Sequence, residues 1–242
     1  MAVTTALLIF AAPWMSGRAQ DARPTATPAS LPVSTTRPQV TFAFERKGLP
    51  VPKFRLAIQD DGAIVYEGEE VPQVSGQGSS VSLSSHAFRS TVGISPATAT
   101  RIFALGQKLN RFNITCASKA KNIADTGTKT LSYVAADGTG SCTYNYTENK
   151  DVQALTEIVQ GIAETMDQGR ELDHLHRFDR LGLDAAITFL AQEVSEGHAL
   201  ELGTIAASLR SIATDAEVME RVRMRASKLL ALIPAEVPQN GP

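Results

Sequence analysis

The chain is poor in the residues that most enzyme chemistry requires. Histidine occurs four times, cysteine twice and tryptophan once in 242 residues. There is no GxSxG elbow, and Ser84, Ser85 and His86 are adjacent, which is the wrong geometry for a serine hydrolase. Gly76-Gln77-Gly78 lacks the strand–turn–helix setting and the lysine of a phosphate loop. Neither cysteine has a second cysteine or a histidine at ligand spacing, so no metal centre is expected. No cofactor is expected either. Charge of one sign is also missing: 23 Lys and Arg stand against 25 Asp and Glu, a net −2. A nucleic-acid partner therefore has no electrostatic support. Arg221, Arg223, Arg225 and Lys228 do not change this, because residues two apart on a helix point to different faces.

Long apolar runs are absent as well. AVTTALLIFAAPWM at 2–15 falls short of the roughly 20 residues a membrane-spanning helix needs. Followed by SGRAQ, with Gly17 and Ala19 at the small-residue positions, it reads as a secretory signal over residues 1–19, cut after Ala19. No basic residue precedes its apolar core, so an uncleaved signal segment is the one route by which a membrane contact is expected. The expected location is periplasmic or extracellular. Two cysteines in an exported chain favour a Cys116–Cys142 disulfide. Such a link would stabilise by roughly 3 to 4 kcal/mol in the chain-entropy model.

What is present divides the chain. Residues 20–39 carry Pro24, Pro28, Pro32 and Pro38 among Ala, Ser and Thr, a linker too polar to fold. The α+β part is placed at 40–170. Phe42 and Phe44 mark a strand; Phe54, Leu56, Ile58 and then Ile64 and Tyr66 mark a hairpin turning at Asp61-Gly62. Residues 67–80 read as a loop, and His86, Phe88, Ser90, Val92 and Ile94 share one strand face. Ser95-Pro96 starts a helix with Ile102, Leu105, Leu109 and Phe112 on one stripe. Two strands, Thr128–Tyr133 and Ser141–Thr147, flank the turn-rich AADGTG. A second helix runs from about Asp151 to Met166. The fold class is α+β: an antiparallel sheet of about six strands packed with two helices. A small helical bundle follows at 171–234, capped by Asp184 and Asp215 and punctuated by Gly197. The tail 235–242 should be disordered.

The segments FRLAIQDDGAIVYEG (54–68), SPATATRIFALGQKL (95–109) and KTLSYVAADGTGSCTYNYT (129–147) resemble a family of uncharacterised secreted bacterial α+β domains, over about half the chain. RFDRLGLD at 177–184 is similar to a segment of exported proteins of soil bacteria. The resemblance implies fold and export and carries no activity.

Two groups of residues could carry chemistry. Asp125-Thr126-Gly127 after Ile123-Ala124 resembles the active-site strand of aspartic proteases, where two carboxylates share a proton. Only one such tripeptide exists here, and Lys121 and Lys129 flank it. The alternative is a turn in which Asp125 bonds local amides. The second group is His174 and His176 with Asp173 and Asp179, as metal ligands or acid/base groups; the two histidines are two apart, the wrong spacing for a helical zinc pair, but His176 has helical spacing to both acids. Its alternative is a polar connector. The expected function is an exported, non-catalytic binding or scaffold module whose partner is a protein or another envelope component. The rival is an envelope hydrolase built on Asp125 or on His174 and His176.

Overall fold

The computed structural model describes residues 37–71 and 85–234. The expected signal at 1–19, the linker up to residue 36, the loop from residue 72 and the tail at 235–242 lie outside the described residues.

Six strands form one antiparallel sheet: β1 (Gln39–Glu45), β2 (Lys53–Gln59), β3 (Ala63–Glu70), β4 (His86–Gly93), β5 (Thr128–Ala135) and β6 (Gly138–Tyr144), in the order β4-β3-β2-β1-β5-β6. The period-two apolar pattern sets the register. Val40, Phe42 and Phe44 of β1 align with Ile58, Leu56 and Phe54 of β2, and with Tyr133, Leu131 and Lys129 of β5. These positions share one face and are buried. Helices α1 (Pro96–Lys108) and α2 (Lys150–Phe178) cover that face, through Ala99 and Ile102 of α1 and Val152, Leu155, Val159 and Ile162 of α2. Each fully buried side chain of this size contributes about 1.5–3 kcal/mol.

Local signals place the helix starts. Ser95 Oγ accepts from Thr98 N at 3.3 Å with Pro96 in the first turn. Asn149 Oδ1 accepts from Asp151 N at 2.9 Å and from Val152 N at 3.3 Å. The second hairpin is tighter than AADGTG suggests: Ala135 pairs with Gly138, leaving Ala136 and Asp137 as the turn. Strand β3 runs on to Glu70, into the expected loop, because β4 offers it partners as far as His86.

The stripe ending at Met166 understates α2, which continues unbroken to Phe178 and past the boundary expected at residue 170. The extension is polar in sequence, but a second hydrophobic cluster buries its Leu172 completely. That cluster comes from α3 (Leu183–Glu196), the 3₁₀ turn Leu202–Ile205, α4 (Ala206–Thr214) and α5 (Glu220–Ala231). Gly197, at φ 78°, ends α3 as a left-handed cap. Asp215 closes α4 instead of opening α5, and its Oδ1 accepts from Glu217 N at 2.9 Å. Among the described residues no helix is long and apolar enough to cross a membrane.

The helical part is closely joined to the sheet part. A Cβ on Gly161 would meet His198 O at 2.7 Å, and one on Gly169 would overlap the Ile205 side chain, so both glycines let segment 198–205 cross α2 at backbone distance. The Glu201 carboxylate reaches the start of α1. It accepts from Ser95 N at 2.8 Å, from Ser95 Oγ at 2.7 Å and from Thr98 Oγ1. Glu201 adopts φ 58°, a left-handed conformation uncommon for a non-glycine residue.

Candidate functional site

Both sheet-covering helices lie on one face, and the alternate residues of the same strands form the other. That second face has no layer over it among the described residues; its positions run from half-buried to exposed, apart from Ala57. The pairing registers assemble it into rows. One row crosses all six strands as Arg89, Glu67, Arg55, Ala43, Thr130 and Thr143; the next runs Ala87, Glu69, Lys53, Glu45 and Thr128. A groove of about 580 Å³ lies here, lined by ten of these residues and by Phe44, Phe54, Gly68 and Phe88 at the intervening strand positions.

The groove is divided by charge. Glu67 holds two arginines, with Arg55 Nη1 at 3.1 Å and Arg89 Nη1 at 2.5 Å. Toward β5 and β6 the face turns to neutral hydroxyls: Thr130 and Thr143 share a hydrogen bond at 3.0 Å, as do Ser132 and Ser141. The strands place no aromatic residue at these open-face positions, and the rings that line the groove, Phe44, Phe54 and Phe88, come from the intervening positions. Sequence reasoning missed this site because alternation shows which residues avoid the core, not whether a further layer covers them.

None of the sequence-derived candidates lines this groove, although Asp125 stands three residues before its Thr128. Asp125 closes a local turn, its Oδ1 accepting from Gly127 N at 2.9 Å. Beside it, Asn145 Oδ1 accepts from Thr126 N at 2.8 Å. Buried Lys129 organises this loop, with Nζ donating to Thr126 O, Gly127 O and Asn145 O at 3.0–3.2 Å. Burial pushes its pKa down. At the end of α2 the two histidines diverge. His174 packs on the Phe178 ring at 5.1 Å, and His176 Nε2 lies 2.8 Å from Asp215 Oδ2. That contact holds the Asp215 carboxyl below its ordinary range. Asp179 ends α2 and its Oδ1 accepts from Gly182 N at 3.3 Å. Cys116 and Cys142 form a disulfide, tying the segment after α1 to β6.

Two further polar clusters stand out. Tyr66 donates to Asp167 Oδ1 at 2.8 Å beneath the β3–β4 edge, and Arg170 stacks on Phe88 at 3.6 Å while its Nη2 donates to Glu70 at 2.8 Å. Burial raises the Asp167 pKa to about 6. This cluster latches α2 to β3. Glu193, Glu196 and His198 converge at the end of α3, with His198 Nδ1 at 3.2 Å and 3.5 Å from the two carboxylates. The three form a polar cluster at the surface, with Glu193 half-buried and Glu196 and His198 exposed.

Compared with known proteins, the chain matches no protein-family model and no curated protein.

Proposed function

We propose that this chain is an exported, non-catalytic binding or scaffold module of the cell envelope, and that the open face of its sheet is the working surface. The observation that carries the reading is that face: six strands wide, without a covering layer among the described residues, and hollowed into a groove of about 580 Å³. Export is supported by the Cys116–Cys142 disulfide, which belongs to an oxidising compartment. It is supported also by the signal-like segment at 1–19. The rival hydrolase draws little support: Asp125, His174 and His176 each have a separate structural partner (Gly127 N, the Phe178 ring and Asp215) and do not converge.

Expression of the full chain in a bacterial host tests both parts. The expected result is oxidised protein in the osmotic-shock fluid or the medium, which binds envelope fractions and loses that binding in Lys53→Glu/Arg55→Glu. Reduced protein held in the cytosol would overturn export. Turnover of peptide, ester or glycoside substrates that disappears in Asp125→Asn would overturn the non-catalytic reading.

A further inference from the structure

We infer that the open face pairs with a second copy of this chain, packed face to face across a two-fold axis. The inference rests on the reading of that face as the working surface and names its partner.

The argument is the order of charges. On the open face β4 presents Arg89, β3 presents Glu67 and Glu69, β2 presents Arg55 and Lys53, and β1 presents Glu45. Read across the strands, the signs run plus, minus, plus, minus, with three bases balancing three acids. A balanced patch offers no net attraction to a polyanion or a polycation. The sequence of signs inverts about the line between β2 and β3. A two-fold axis parallel to the strands along that line therefore sets β3 over the partner's β2 and β4 over its β1. Glu67 then faces a second Arg55, Glu69 faces a second Lys53, and Arg89 lies diagonal to a second Glu45. An isologous interface requires this self-complementarity.

Between the charged rows and the far end of the sheet lies an uncharged row in which Val65, Ala57 and Thr41 are neighbours. These small side chains allow two sheets to approach to the usual packing distance of about 10 Å. Four strands about 4.8 Å apart and about seven residues long cover roughly 450 Å² of each partner. About 900 Å² in total falls below the range of stable specific complexes and within that of weak, transient ones, so the dimer is weak and depends on concentration. The paired charges fix its register more than its strength. Strands β5 and β6 overhang the partner and keep their hydroxyl rows free.

Sedimentation velocity on the full-length chain, from a few micromolar to several hundred micromolar, tests the inference. The wild type is expected to pass from monomer to dimer across that range. Glu67→Lys/Glu69→Lys and Lys53→Glu/Arg55→Glu are each expected to weaken association at least tenfold, and an equimolar mixture of the two to regain the dimer. Val65→Lys, at the centre of the seam, should abolish it without reversing any charge. Circular dichroism establishes that each variant is folded, and the wild-type result stands even where a variant is not. A wild type that stays monomeric throughout overturns the inference, as does a dimer unaffected by Val65→Lys. A monomeric but exported chain that still binds envelope fractions refutes the dimer alone; a chain retained in the cytosol refutes the functional reading alone.

Discussion

Replacing Asp167 by Asn is expected to stabilise the protein at neutral pH, although the replaced carboxylate accepts a hydrogen bond. Asp167 lies on α2 where it faces β3. Tyr66 and Glu70 approach from the sheet, and Arg170 and Glu164 from its own helix. Burial dominates: it raises the pKa from an ordinary 3.8 to about 6, against the opposing effects of the Tyr66 hydroxyl and the Arg170 guanidinium. The folded state therefore holds the proton more tightly than the unfolded chain. Below about pH 4 both states are protonated and the neutral acid is accommodated without penalty. As pH rises from about 4 to 6 the unfolded chain ionises first, and stability falls. Above about 6 the loss is complete, on the order of 3 kcal/mol for two pKa units. The Asp167 side chain keeps 25% exposure, so water screens part of this and the figure is an upper bound. Asn retains an oxygen for Tyr66 and has no charge to desolvate. Urea unfolding followed by far-UV circular dichroism, at half-unit steps from pH 3 to 8, should give curves that coincide near pH 3. They should separate between 4 and 6 and stay about 2–3 kcal/mol apart, with the variant the more stable. A variant less stable than wild type at pH 7.5, or a gap that does not change with pH, would refute the reasoning.

Reducing the disulfide, or replacing both cysteines by Ser, opens a loop spanning a sequence separation of 26; about 3.5 kcal/mol of stability should be lost in the chain-entropy treatment, read as a lower urea midpoint. Glu201→Ala leaves Ser95 N, Ser95 Oγ and Thr98 Oγ1 without their shared acceptor. The expected loss is about 2–4 kcal/mol, with hydrogen exchange at the start of α1 accelerating more than exchange in β1. Gly169→Ala should cost at least about 2 kcal/mol, because the new methyl group overlaps Ile205. Gly93→Ala, where nothing lies within 4 Å of a Cβ, is the matched control.

Much of the fold is set by local physics and is legible in the chain. Alternation at Phe42, Phe44, Phe54, Leu56 and Ile58 fixes strands and their buried face, because a pleat allows no other arrangement once one face is apolar. Ser95-Pro96 and Gly197 mark a helix start and a helix end through the backbone groups they satisfy or the φ they permit. The cysteine pairing followed from there being only two. The tertiary structure decided what sequence-local reasoning has no access to. The polar segment after Met166 is helical because distant apolar residues of α3 and α4 bury Leu172. His176 pairs with Asp215, 39 positions away, instead of with either acid on its own helix. Glu201 belongs to the start of α1, more than a hundred residues upstream. The open face of the sheet is of the same kind. Its charges are scattered over four strands from Glu45 to Arg89, and only the antiparallel registers gather them into rows. Alternating signs along a chain carry no spatial order until hydrogen-bonded neighbours are assigned, and that assignment is a property of the folded sheet.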